Sequence, residues 1–170
     1  MDILKIAVEW AKAEVFSARF FILAGVAFLL VTIGFWQLGK TEVAKAFIIP
    51  TLVAGLLLLT VGLGIFFTNK SRISSFETDY LKNPTAFVQS EIKRTEKSLG
   101  EFRTIVFKVI PFIIVACALL IVFVDKPMWR AISITTIAMM VIILLVDSNA
   151  NARIENYNEQ LHLIDQPEED

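Results

Sequence analysis

The sequence has too few cysteines and histidines for the sites usually built from them. It contains one cysteine, Cys117, and one histidine, His162. A single cysteine can form neither an intramolecular disulfide nor a cysteine-rich zinc site. Cys117 lies in an apolar run, which favours a small packing residue, and His162 lies in a polar segment, which favours a solvated side chain. We therefore expect no metal, no cofactor and no disulfide scaffold.

Catalytic motifs and a basic surplus are missing as well. The sequence has no nucleophile–base pair, phosphate-binding loop or metal-ligand spacing, so we expect no catalytic residues and a non-enzymatic protein. The formal net charge is −1. A value so close to zero gives no indication of a nucleic-acid partner.

Charged residues are also absent from four long stretches of the chain, at 20–39, 46–69, 109–124 and 131–146. A helix that crosses a bilayer needs roughly 20 mostly apolar residues. The last two stretches are shorter, but Lys108 and Arg130 can extend along the helix to the headgroups and lengthen the apolar parts to 104–124 and 128–146. We predict an all-α membrane protein with four transmembrane helices; the alternative is two spans plus a buried hairpin.

Short polar loops at 40–45 and 125–127 join the predicted spans into two antiparallel hairpins. Five segments follow from this division of the chain. They are an amphipathic interfacial helix (1–17), a first transmembrane hairpin (18–70), a cytoplasmic helical connector (71–107), a second transmembrane hairpin (108–147), and a cytoplasmic helix extension with an acidic disordered tail (148–170).

Basic residues are distributed unequally between the two ends of these hairpins. Only four of the 16 lysines and arginines lie in the hairpin loops: Lys40, Lys45, Lys126 and Arg130. Because the side richer in basic residues faces the cytoplasm, we expect both termini and the connector there. The expected location is a cell membrane, specifically a bacterial inner membrane.

The N-terminal segment has an apolar helical face centred on Trp10, with Ile3, Ile6, Ala7 and Ala11 beside it. Two interpretations remain open for this face. Either it lies in the membrane interface, which suits an amphipathic helix with a central tryptophan, or it packs on the chain's own cytoplasmic helices.

The connector contains a helix start at Asn83-Pro84, with Asn as the N-cap and Pro at the first helical position. Five apolar residues and Thr95 then recur at heptad spacing, at Val88, Ile92, Thr95, Leu99, Phe102 and Val106. This stripe indicates either one helix resting on its neighbours or a coiled-coil seam for self-association. The candidate interaction residues are Val88, Ile92, Leu99, Phe102 and Trp10.

A polar group follows the fourth uncharged run. Asp147 and Asn151 share a helical face, and Arg153 lies about one and a half turns beyond Asp147. These three residues are candidates for a polar cytoplasmic vestibule; the alternative is the water-facing end of a long helix.

The two halves of the chain share a short pattern after their second spans. Residues 71–76 and 152–157 both read small-Arg-Ile-x-x-aromatic, and a glutamate precedes the first span of each half, at Glu14 and Glu101. A duplication would relate the hairpins by an axis along the membrane normal. The alternative is that helices next to a membrane converge on similar composition.

These observations support two functional hypotheses. The first is an interaction or assembly subunit that acts through its cytoplasmic helices, in a homo-oligomer or with another membrane protein. The second is a homo-oligomeric channel or small transporter with its vestibule near Asp147.

Overall fold

The computed structural model describes residues 3–165, which contain helices and short connections but no strand. The predicted all-helical fold, with four stretches long and apolar enough to cross a membrane, is confirmed. The four stretches are Ile3–Leu38, Glu42–Lys82, Pro84–Phe123 and Pro127–Asp165. The helices are α1 (Ile3–Leu38), α2 (Glu42–Ala46), α3 (Ile48–Lys82), α4 (Pro84–Thr104), α5 (Ile110–Phe123) and α6 (Pro127–Asp165). Of the acidic tail predicted at 165–170, Asp165 is the last residue of α6, and 166–170 lie outside the described residues.

The long helices continue well past the uncharged runs. Helix α1 has 36 residues, a length of about 54 Å at a rise of 1.5 Å per residue. The hydrocarbon core of a bilayer is only about 30 Å thick. Helix α1 is therefore longer than this core is thick. It contains both the N-terminal segment and the first uncharged run as one continuous helix. With the end of α3, all of α4 and the end of α6, this segment forms what we call the polar bundle (3–19, 70–104 and 147–165).

Helices α1 and α3 form the first hairpin and approach closely at three glycines. A Cβ on Gly25 would lie 2.7 Å from Leu59 Cγ, and one on Gly62 would lie 2.9 Å from Phe21 Cβ. Gly55 has similarly little space. Further along the same contact, the buried Thr32 hydroxyl donates to Thr51 Oγ1 at 2.8 Å. Small residues and hydroxyl hydrogen bonds are the usual means by which membrane helices associate.

The second hairpin consists of α5 and α6. A π-helical turn, Ile105–Val109, joins α4 to α5, and in it the Ile110 N–H donates to the Ile105 carbonyl five residues earlier. Pro111 follows directly and cannot donate a backbone N–H to the carbonyl of Phe107, which accounts for the local change of helical geometry. Among residues 3–165, α5 packs only against α6 and this turn.

The polar bundle has an apolar core of its own. The predicted apolar face of α1 lies in it, with Trp10 only 8% exposed and its ring stacked on Tyr157 at a centroid distance of 5.3 Å. Val88 and Ile92 of α4 are buried in the same core, and Leu99 and Phe102 pack partly buried against it. The faces that the sequence marks as candidate interaction surfaces therefore belong to one apolar core within the chain.

Helix α4 begins where the sequence predicts. The Asn83 side chain accepts a hydrogen bond from the Ala86 N–H at 3.0 Å, and Pro84 occupies the first turn. This cap orders the turn between α3 and α4 and so directs α4 back along the polar bundle. Its direction brings the charged side chains of α4 towards those of α1, α3 and α6.

Candidate binding cavity

A cavity of about 210 Å³ lies where the polar bundle meets the uncharged runs. Four helices contribute to its wall, namely α1, α3, α4 and α6. The residues that give the cavity its chemistry are polar or charged and line it together: Trp10, Glu14, Asn69, Arg72, Arg94 and Asp147. The space is large enough for several water molecules or a small polar group.

One ion pair joins α1 to α6 beside the cavity. Arg153 donates from Nε and from an Nη atom to the same oxygen of Glu14, at 3.1 and 2.9 Å. The Glu14 side chain is 12% exposed, and the Arg153 side chain is 28% exposed. Burial raises the pKa of Glu14, and the charge of Arg153 opposes that rise in part. The charge of Arg153 is thus compensated by a carboxyl group within the fold.

A second charged group joins α4 to α6. Arg94 donates two hydrogen bonds to the Glu91 carboxylate, at 2.8 and 2.6 Å, and the Tyr157 hydroxyl donates to the same carboxylate at 2.9 Å. Burial, reinforced by the charge of Glu91, raises the pKa of Tyr157, so the phenol stays protonated and remains a donor. The Arg94 guanidinium also lies 4.3 Å from the centroid of the Trp10 ring, within cation–π range.

Arg72 of α3 has no comparable anionic partner. It donates to the Asn69 amide oxygen at 2.9 Å and forms no ion pair with any residue between 3 and 165. Burial, followed by the like charge of Arg94, lowers the pKa of Arg72. This direction is the one expected for a guanidinium whose charge is poorly compensated.

Asp147 lies where this cavity adjoins another of about 180 Å³. Ser98, Phe102 and Asp147 line both spaces, and the second extends along the π-helical turn past Ile105. The Asp147 carboxyl group has no hydrogen bond or ion pair within the described part of the chain. The cavity thus continues into a second space beside the start of the third uncharged run.

The three residues predicted to form a vestibule have different positions in the structure. Asp147 lines the cavity, Arg153 pairs with Glu14, and the half-buried Asn151 lines neither of the two adjoining spaces. Four further charged residues were not predicted as a site: Glu14, Arg72, Glu91 and Arg94. Arg72 and Arg153 occupy the same place in the repeated pattern small-Arg-Ile-x-x-aromatic. This repeat is the feature of the sequence that could have marked these two arginines as part of a site.

No protein-family model, curated protein or solved structure matches this chain.

Proposed function

We propose that this chain is a small non-enzymatic membrane protein that binds a ligand in the cavity beside Asp147, as a small transporter or carrier does. One observation supports this proposal most. Two helices, α3 and α6, bring a guanidinium and a carboxyl group without ionic partners among residues 3–165, Arg72 and Asp147, to the wall of one cavity. Both side chains are half-buried. Charges withdrawn from water are normally paired within a fold, so two groups of opposite sign without such partners favour a role towards something that enters from outside.

The proposed orientation places the polar bundle in the cytoplasm of a bacterial cell, below the inner membrane. The imbalance of basic residues supports this side, because only four of the 16 lie in the hairpin loops. The cavity then opens towards the cytoplasm and the inner leaflet. A ligand would reach it from water or from the lipid next to the π-helical turn.

A second candidate function is that of a subunit in a homo-oligomer or in a complex with another membrane protein. The observation that favours it is the isolation of α5, which packs only on α6 and the π-helical turn among the described residues. Phe112, Val122 and Phe123 are each more than 70% exposed on this helix. A partner span would cover these side chains, and lipid would cover them equally well in a monomer. Native mass spectrometry from a mild detergent decides between a monomer and a complex.

Cysteine labelling tests whether the cavity is open to water. Cys117 is the one cysteine of the chain, so Cys117→Ala gives a background without thiols. In it, Ser98→Cys places a thiol on the cavity wall, Lys97→Cys places one on the exposed neighbour, and Val115→Cys places one on the outer face of α5. A charged, membrane-impermeant maleimide is added to inside-out and right-side-out vesicles.

We expect Ser98→Cys and Lys97→Cys to react in inside-out vesicles only, while Val115→Cys reacts in neither. An unreactive Ser98→Cys in a protein whose Lys97→Cys variant reacts would show that the cavity is closed, which contradicts the proposed function. Reaction of both thiols in right-side-out vesicles would reverse the proposed orientation.

A further inference from the structure

Charged side chains of both signs line the cavity in equal number. Glu14 and Asp147 contribute carboxyl groups, and Arg72 and Arg94 contribute guanidinium groups. Glu14 and Arg94 each form an ion pair with a residue that does not line the cavity. One cation, Arg72, and one anion, Asp147, therefore remain on the wall without an ionic partner among residues 3–165.

Arg72 and Asp147 do not compensate each other. Arg94, Glu91 and Glu14 act electrostatically on Arg72, and Asp147 is not among these groups. Glu14 is the charged group that acts on Asp147, and Arg72 does not. The two unpaired charges are thus separated from each other although their side chains line one cavity.

Both side chains also present accessible atoms that lack a hydrogen bond. Arg72 uses one Nη atom to reach the Asn69 amide oxygen, while its other Nη atom, its Nε and the two Asp147 oxygens have no hydrogen-bond partner in the described part of the chain. None of these atoms is among the unpartnered polar atoms that are sealed from solvent in residues 3–165. Accessible donors and acceptors on a cavity wall are available to a ligand.

We propose that the cavity binds a small zwitterion, a molecule with one carboxylate and one ammonium group, whose carboxylate lies on Arg72 and whose ammonium group lies on Asp147. A guanidinium matches a carboxylate with two parallel hydrogen bonds. An ammonium group is a donor only, so an ionised carboxyl group suits it. This inference rests on the proposed ligand-binding function and names the chemistry of the ligand.

The balance of charge favours a zwitterion over a singly charged ligand. An anion on Arg72 would leave Asp147 uncompensated, and a cation on Asp147 would leave Arg72 uncompensated. A charge withdrawn from water costs free energy unless it is paired. A molecule that carries both charges compensates both residues at once and leaves the site neutral.

The size and the remaining wall of the cavity fit a short aliphatic amino acid. An engineered apolar cavity of roughly 150 Å³ binds benzene, and this cavity has a volume of about 210 Å³. Apolar side chains, including Ala18, Phe21 and Ile65, also line it. The methylene groups between the two charged ends of a molecule such as 4-aminobutanoate would contact these side chains.

Protection of a thiol on the cavity wall measures binding. The reporter is the full-length chain with Cys117→Ala and Ser98→Cys in inside-out vesicles, and its rate of labelling by the charged maleimide is followed at neutral pH. The compounds are 4-aminobutanoate, butanoate, which lacks the ammonium group, and butylammonium, which lacks the carboxylate. Lys97→Cys, on the exposed neighbour, reports any effect of a compound on the reagent or the vesicles.

We expect 4-aminobutanoate to slow labelling of Ser98→Cys at a concentration at least tenfold lower than butanoate or butylammonium, and to leave Lys97→Cys unchanged. If a singly charged compound protects as well as 4-aminobutanoate, one charge is sufficient and the zwitterion site is overturned. Equal slowing of the two thiols also overturns it, because the effect would then not arise in the cavity.

Substitution of either charged residue should change which compound is preferred. With Asp147→Asn, 4-aminobutanoate is expected to protect no better than butanoate. With Arg72→Gln, it is expected to protect no better than butylammonium. A general structural defect would weaken protection by all three compounds and keep the order of preference, and that result overturns the roles assigned to Arg72 and Asp147.

Matched controls remove exposed charges from the same two helices. Lys70→Gln on α3 and Glu155→Gln on α6 are expected to change protection by 4-aminobutanoate less than twofold. Equal loss in the control and site variants overturns the proposal. If Arg72→Gln does not fold, as judged by its thermal transition, Arg72→Lys replaces it. This variant keeps the cation and should retain the preference for 4-aminobutanoate over butylammonium, and loss of the preference would contradict the site.

The labelling experiment also distinguishes this inference from the function on which it rests. If Ser98→Cys is labelled from the cytoplasmic side but 4-aminobutanoate does not slow the reaction, the open cavity stands and the zwitterion site fails. If Ser98→Cys is not labelled while Lys97→Cys is, the proposed function fails and the zwitterion site fails with it.

Discussion

Arg153 on α6 and Glu14 on α1 are 139 positions apart in the chain, and their side chains form a hydrogen-bonded ion pair at 2.9 Å. The pair lies beside the cavity and fixes the first helix against the last. Taking two charges out of water is costly, and the attraction between them offsets this cost only while both partners remain.

Loss of the cation alone is therefore expected to destabilise the fold. Arg153→Met leaves a largely buried carboxylate without its partner and should cost about 3 kcal/mol at neutral pH, seen as a lower thermal midpoint in detergent. Lys97→Met, which removes the exposed partner of Glu101, is the control and should change stability by about 0.5 kcal/mol or less. The double variant Glu14→Leu/Arg153→Met should recover most of the loss. Equal effects of Arg153→Met and Lys97→Met would contradict the importance of this pair.

The stability that Glu14 contributes should depend on pH in a defined direction. Burial raises its pKa above the ordinary 4.5. A carboxyl group with a higher pKa in the folded than in the unfolded chain stabilises the fold fully below about pH 4.5, and this contribution is lost as the pH rises through the raised pKa. The thermal midpoint of the wild type, relative to that of Glu14→Gln, should accordingly fall as the pH is increased from 4.5. A relative midpoint that rises with pH would show that Arg153 lowers the pKa of Glu14 instead.

The tyrosine hydroxyl on the Glu91 carboxylate is expected to contribute measurably to the polar bundle. Tyr157→Phe keeps the ring stacked on Trp10 and removes only the donor to a buried charge, a loss of about 2 kcal/mol. Tyr80→Phe is a suitable control, since the Tyr80 hydroxyl has no hydrogen bond to residues 3–165. Urea or thermal unfolding followed by circular dichroism measures both. A Tyr157→Phe variant as stable as Tyr80→Phe would mean that water replaces this bond without cost.

The close approach of α1 and α3 can be tested on one helix. Gly62→Ala places a methyl group 2.9 Å from atoms of Phe21 and Ile22, whereas Gly64→Ala has no atom within 4 Å of the added group. Overpacking of this kind typically costs about 1–3 kcal/mol. The thermal midpoint should thus fall for Gly62→Ala and stay near the wild-type value for Gly64→Ala. Similar midpoints for the two variants would indicate that the helices separate readily.

Local signals in the sequence predict much of this architecture. The uncharged runs mark the four long helices, and Asn83-Pro84 marks the start of α4, because length, apolarity and N-capping act within a single segment. The heptad stripe through Val88 and Ile92 identifies a face that packs. It does not identify what the face packs against, since α6 meets it from a distant part of the chain.

The pairing of the charged residues around the cavity could not be predicted from the sequence. Arg72 and Arg153 are equivalent in the repeated pattern, yet only Arg153 has a carboxylate partner. That difference depends on how the helices are placed around one another, which no spacing within a helix encodes. The burial of Trp10 without an acceptor for its N–H among residues 3–165 is likewise a property of the packed bundle.

The most direct test of the central claim, that the cavity holds a ligand, is the mass of the intact protein released from its native membrane. Ser98→Trp places a large side chain on the wall shared by the two adjoining cavities, and Lys97→Trp adds the same group to the exposed neighbour. We predict that the wild type and Lys97→Trp carry one bound molecule of defined mass per chain, and that Ser98→Trp has lost it. The same bound molecules in all three proteins, or none in the wild type, would contradict the claim.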